Sequence, residues 1–236
     1  ILAVIAVCSG GQSLFGMGVL VFGTPTLLLM GYDFITTLGY LLPASFAISL
    51  LQVIAQGAER VKASKYLYLL CVPGIGVGLW LAEASPLASW TNLLIGGTLI
   101  LSALVRFWSP PRRVVAAFLE KNFPVYHLIM GLVHGMTNLG GALLAILASG
   151  TSTDKDEIRN TVSLYYLAFS TVQMLFLSIV MGHADLFFSN LAAAGVSALI
   201  YLLIGKRIFN LTSNPVYNTA LTIFIAAYGV VVLLKF

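Results

Sequence analysis

Charge is what this sequence lacks most. Asp, Glu, Lys and Arg make up 8% of its 236 residues, against about 25% in an ordinary soluble domain. A chain so poor in charge cannot cover a globule with water-facing side chains. A soluble enzyme or binding module is therefore excluded, and an integral membrane protein is expected. Cysteine is scarce as well. Cys8 and Cys71 each lie in an apolar run at a spacing that makes no metal site, and they read as small packing residues. No G-x-x-x-x-G-K-[ST] loop is present to couple nucleotide hydrolysis to anything. Nor is there an H-E-x-x-H or G-x-S-x-G motif, and the few carboxylates are mostly in connections, which argues against an intramembrane enzyme. The net charge of +4 is no nucleic-acid footprint, because Lys and Arg are dispersed in short connections without a basic cluster among aromatics. Residues 1–8 lack the basic start of a signal peptide, and the start at Ile1 leaves room for a preceding segment.

Long apolar runs are what the sequence has. Eight are readable, at about 1–31, 34–56, 66–82, 88–107, 123–150, 158–182, 186–205 and 215–234. Most match the roughly 20 residues that cross a bilayer as helix. Trp80, Trp90 and Trp108 fall near their ends, as interfacial anchors do. Polar connections separate the runs, among them TSTDKDEIRN (151–160), which reads as a capped helix start, and GKR (205–207). If all eight runs cross, 8 basic residues collect on one side and 4 on the other, a poor fit to the positive-inside rule. If runs 1 and 5 instead enter and return on the same side, the cytoplasmic face holds 11 and the outer face only Lys235. Runs 1 and 5 are also the longest, and both are broken by glycine. The expected fold is thus all-α and membrane-embedded, with two inverted repeats. Each repeat is a glycine-rich, broken or re-entrant segment plus three transmembrane helices. The first repeat covers 1–107, a cytoplasmic linker 108–122, and the second repeat 123–236.

A duplication should leave matched residues. Ala47-Ile-Ser49-Leu-Leu-Gln52 and Ala168-Phe-Ser170-Thr-Val-Gln173 share an A-x-S-x-x-Q pattern 121 residues apart. At an offset of 122, Gln12 falls on His134, Gly16 on Asn138 and Gly18 on Gly140. The stretch SGGQSLFGMG (9–18) therefore has its counterpart in GLVHGMTNLGGA (131–142).

Gly16-Met-Gly18-Val-Leu-Val-Phe-Gly-Thr-Pro25, followed by Leu27-Leu-Leu-Met-Gly31, is similar to the G-x-G-G-G…P-x-L…G signature of the sulfite exporter TauE/SafE family. Gly135-Met-Thr-Asn138-Leu-Gly140-Gly141-Ala resembles that family's second copy, and the two-half layout agrees over nearly the whole chain. Val19 and Leu20 stand where the family carries glycines, and Asn138 stands where a glycine is usual. The resemblance implies a bacterial transporter of small sulfur-containing anions, such as sulfite, sulfoacetate or other organosulfonates, in the cytoplasmic (inner) membrane and crossing it several times.

Unwound backbone inside a membrane survives only against protein or a water-filled cavity. A hairpin tip places N–H groups and the positive end of a half-helix near the midplane, a setting suited to an anion. The candidate substrate-binding residues are Gly10, Gly11, Gln12, Ser13, Gly16 and Gly18 in the first tip, and His134, Thr137, Asn138, Gly140 and Gly141 in the second. Ser49, Gln52, Ser170 and Gln173 are candidates to line the path beside them. Glycines can also serve close helix packing, and Ser49, Gln52, Ser170 and Gln173 can equally serve interhelical hydrogen bonding. His134 has two readings: a proton-coupling or anion-pairing residue, or a neutral imidazole bonded to backbone. Arg159 belongs either to a solvated helix start or to a path guiding an anion inward. The overall expectation is a secondary transporter working by alternating access, its anion held between the two tips, with a channel-like permease as alternative. It calls for no cofactor, no metal and no nucleic acid. Its partners are the anion and membrane lipid, and a homodimer is compatible with it.

Overall fold

The computed structural model describes residues 1–57, 63–84 and 109–235. The run at 88–107, with Trp90, and Trp108 in the connection after it, lie outside the described residues. So does most of the connection at 58–65. Among the described residues every regular element is helical. In chain order they are α1 (Leu2–Phe15), α2 (Val19–Leu29), α3 (Phe34–Gln56), a π-helical turn (Leu67–Cys71) leading into α4 (Val72–Ala84), α5 (Ser109–Thr137), α6 (Gly140–Thr151), α7 (Lys155–Ile179), α8 (Ala184–Ser189), α9 (Leu191–Ile200), a second π-helical turn (Tyr201–Gly205), α10 (Lys206–Leu211) and α11 (Asn214–Lys235). Among the described residues three helical stretches are long and apolar enough to cross a membrane: Phe34–Gln56, Lys155–Ile179 and Leu191–Leu211.

Local chemistry sets the boundaries. Asp33 starts α3 by accepting the Thr36 N–H at 2.9 Å. Asp154 starts α7 by accepting the N–H groups of Asp156 and Glu157 at 2.9 and 3.1 Å, and its second oxygen accepts from the Asn214 amide at 3.3 Å. Such caps replace donors that a helix start leaves unsatisfied. Asp154 is held below its ordinary carboxylate value, first by the Glu157 N–H and then by Asn214, the Asp156 amide and Lys155, against the opposing effect of burial. A depressed folded-state pKa stabilises above the unfolded value of about 3.9 and fades as pH falls through the folded one. Replacing Asp154 with Ala should therefore cost about 1 kcal/mol at neutral pH. Melting the two proteins at pH 7 and pH 3 should show that difference shrink in acid.

Two boundaries depart from the sequence expectation. The linker at 108–122 is helical from Ser109, because Pro110 and Pro111 suit a helix's first turn. It joins the rest of α5 across a kink at Asn122 (φ −125, ψ 32), two residues before Pro124, whose ring cannot continue the helix regularly. The run expected at 186–205 is divided at Asn190, whose amide donates to its own chain at Leu186 O, 2.7 Å away. The helix then continues through Lys206 and Arg207, expected as a connection, to Leu211. Both basic side chains are exposed, and both residue types are good helix formers.

The described contacts divide the chain into two compact units. The first is built from Ile1–Ala63 and Arg159–Thr212, the second from Ser64–Ile158 and Ser213–Phe236. Each unit thus draws on both sequence halves. The first buries Met17, Val19, Leu20, Phe22, Leu38, Leu41, Val162 and Phe169 completely or nearly so. In the second, α4 and α5 approach backbone to backbone. A Cβ on Gly131 would overlap the Cys71 carbonyl, one on Gly135 the Ile75 carbonyl, and one on Gly78 would stand 2.5 Å from Leu132 O. These glycines do what small-residue membrane interfaces require.

Candidate functional site

In the first unit α1 ends at Gly16, which takes a left-handed conformation (φ 78) and donates its N–H to Gln12 O at 2.8 Å. Glycine enters that region without steric cost. The chain then folds back along α1. A Cβ on Gly18 would overlap the Gln12 backbone nitrogen and stand 2.6 Å from Cys8 O. This turn places the first residue of α2 beside the Gln12 side chain, whose Oε1 accepts the Val19 N–H at 3.0 Å. The other end of the amide, Nε2, lies 3.1 Å from Ser45 O, 3.0 Å from Ser45 Oγ and 3.1 Å from Ser49 Oγ. Gln52 holds the last turn of α1 from the same helix α3, its Nε2 donating to Gln12 O (3.0 Å) and Ser13 O (3.2 Å). Its Oε1 accepts from Ser163 Oγ at 2.9 Å. Gln12, Ser13, Ser45, Ser49, Gln52 and Ser163 are all fully buried. The first broken helix is thus held by a neutral amide and hydroxyl network.

The second unit repeats the design with one substitution. Here α5 ends at Asn138, the one non-glycine residue with positive φ (61) among the described residues, and its N–H reaches His134 O at 2.7 Å. Asn tolerates this region better than other side chains, which explains why it can stand where the family favours glycine. Gly140 then packs against His134, where a Cβ would stand 2.5 Å from the His134 Cβ and 3.0 Å from Met130 O. The Gly140 N–H points to His134 Nδ1 at 3.2 Å. An imidazole that accepts at Nδ1 carries its proton on Nε2, so His134 occupies the role that Gln12 has in the first hairpin. Thr137 is absorbed locally, donating to Val133 O (2.6 Å) and accepting from Leu139 N–H (3.2 Å).

The family model of the sulfite exporter TauE/SafE matches residues 1–232 of the 236. The chain belongs to that family. No curated protein and no solved structure matches it. TauE/SafE is a family of transporters, and with three helices among the described residues fit to span a bilayer this member is an integral membrane protein.

In this TauE/SafE protein the structure brings Gln12, Ser13, Gly16, Gly18, Ser49 and Gln52 into one network. In the other unit His134, Thr137, Asn138 and Gly140 share the second tip, and Gly141 follows buried on α6. Gly10 does not join them. It lies exposed on α1, and a Cβ there would meet nothing within 4 Å. Gly11 is half-buried beside it. Ser170 turns to its own helix, donating to Tyr166 O at 2.7 Å, while Gln173 is fully buried. Sequence reading missed Ser45 and Ser163. Their signal was present, since Ser45 precedes Ser49 by one helical turn and Ser163 precedes Ser170 by two. Several tip N–H groups expected to be open to a ligand are already bonded within the protein: those of Gly16, Val19, Asn138, Leu139 and Gly140. Among the described residues no group of three or more His, Cys, Asp or Glu could hold a metal ion.

Proposed function

We propose that this protein is a secondary transporter that carries a small sulfur-containing anion, sulfite or an organosulfonate, across the bacterial inner membrane by alternating access. What carries the reading beyond the family is the recurrence of one tip geometry at an offset of 122 residues. Left-handed backbone recurs at Gly16 and Asn138, close backbone approach at Gly18 and Gly140, and side-chain capping of the returning half-helix by Gln12 and His134. Such recurrence supports a duplicated, inverted architecture in which each hairpin is a re-entrant element of a multi-pass protein. The positive ends of two half-helices, set among neutral side chains, support an anion as the substrate.

The test is a thermal-shift screen of the purified protein against sulfite, thiosulfate, sulfoacetate, taurine, sulfate and matched carboxylates. A ligand bound by the native state raises stability by mass action, about 2.7 kcal/mol at one hundred times its Kd. Selective stabilisation by sulfur oxyanions is the expected result, and stabilisation by none of them would overturn the reading. In liposomes, saturable counterflow marks a carrier and unitary currents a channel. The topology has its own check: cysteines at Lys155 and Lys206, both exposed side chains or nearly so, should react with impermeant reagent from the cytoplasmic side.

A further inference from the structure

Arg159 is the one buried Lys or Arg among the described side chains, 6% exposed on the second turn of α7. Its guanidinium carbon lies 3.2 Å from the centre of the Phe209 ring. Stacking uses the face of the guanidinium and leaves its N–H fork in the plane, where it matches the oxygens of an oxyanion. Two hydroxyls lie in the same neighbourhood of the first unit. Ser13 Oγ and the Tyr201 hydroxyl are both buried, at 0% and 1% exposure, and neither has a hydrogen-bond partner among the described residues. Buried polar groups are nearly always partnered, so two such groups together call for an explanation.

The packing brings these groups to one place. Tyr201, Gly205 and Phe209 follow one another at four-residue intervals through the π-helical turn into α10, and all three are buried. The middle residue touches Ser13, since a Cβ on Gly205 would overlap the Ser13 Cβ and stand 2.5 Å from its Oγ. Phe209 stacks on the Arg159 guanidinium, and Tyr201 lies near enough for the Arg159 charge to act on it. From the opposite side Gly16, one turn after Ser13, reaches the Arg159 backbone, where a Cβ would stand 3.2 Å from Arg159 O. The π-turn itself is a rare element that occurs frequently at functional sites.

We propose that Arg159, Ser13 and Tyr201 form a buried subsite for a small sulfur oxyanion of the sulfite or sulfonate type. The guanidinium fork donates to two oxygens and the two hydroxyls complete the shell. An acceptor-only ligand suits this set because all three groups donate. The assignment rests on the anion-transport reading above and adds a recognition element apart from the hairpin caps.

Two variants that only delete a hydroxyl, Tyr201→Phe and Ser13→Ala, test it with sulfite as the probe. Because neither hydroxyl has a partner among the described residues, each variant should melt at or above the parent's temperature without ligand. Each should bind sulfite about tenfold more weakly, and Arg159→Gln at least a hundredfold more weakly. Parent-like sulfite affinity in Tyr201→Phe and Ser13→Ala, with the parent still binding, would overturn the subsite and leave the transport reading standing. A parent that binds neither sulfite nor any other anion of the screen would overturn both. Should Arg159→Gln fail to fold, the two hydroxyl variants decide the matter alone.

Discussion

Adding one methyl group at Gly18 should cost about 3 kcal/mol or more, among the largest effects of any single change in the chain. The turn after Gly16 presses Gly18 onto the backbone of α1, and a Cβ there meets the Gln12 nitrogen and Cys8 O. Backbone atoms inside a hydrogen-bonded helix cannot shift as a flexible side-chain end can. Gly18→Ala should therefore force the hairpin open rather than merely block a ligand, and a larger residue such as Leu should prevent folding. The expected readout is loss of a cooperative melting transition in purified protein, together with low yield. Gly10→Ala is the control with opposite sign. That residue lies exposed within α1, where a Cβ meets nothing, so the substitution should stabilise by about 0.5–1 kcal/mol. If Gly18→Ala and Gly10→Ala melted alike, the close approach at the tip would be refuted.

The second large effect is expected at Gln12. Its amide bonds Ser45, Ser49 and the Val19 N–H at once, all in a fully buried setting. Gln12→Leu fills similar volume but strands the Val19 donor and removes the amide donor from the two serines. With each stranded buried group costing about 1–3 kcal/mol, the total should reach about 3 kcal/mol or more. His134 supplies the matched comparison. His134→Gln keeps an acceptor for the Gly140 N–H, as Gln12 does for Val19, and should be mild. His134→Leu strands one donor and should cost about 1–3 kcal/mol. Melting curves of the four variants check the ranking, and an equal loss from His134→Gln and His134→Leu would refute a capping role.

Much of this was legible in the sequence because it rests on local rules. α3 spans Phe34–Gln56, as its apolar run predicts, and the structure adds Asp33 as its cap. The breaks in runs 1 and 5 fall among the glycines and Asn138 because left-handed backbone and close approach admit few residue types. The π-helical turns at Leu67–Cys71 and Tyr201–Gly205 were not legible. Their residues are ordinary apolar ones with no propensity for a wider turn, and the partners they meet are distant in sequence. Gly205 meets Ser13, and the Cys71 carbonyl meets Gly131. The helix at 109–121 was hidden by its two prolines, which break a helix in its interior but suit its start. At His134 the residue type left two readings open, proton coupling or a neutral imidazole bonded to backbone, and its Nδ1 accepts the Gly140 N–H. Composition could not distinguish these, because a lone histidine in an apolar run looks the same in both roles.

The mixed parentage of the compact units also fixes an order of events during synthesis. Ser9 on α1 finds its hydroxyl partner in Ser197, 188 residues later. At translation rates of about 5–20 residues per second, the first hairpin waits on the order of 10–40 s for that contact. Throughout that interval Ser9 lacks Ser197 and Gln52 lacks Ser163. An N-terminal fragment released early would carry a polar, half-covered element that the membrane does not tolerate, which makes it a natural target for membrane proteases.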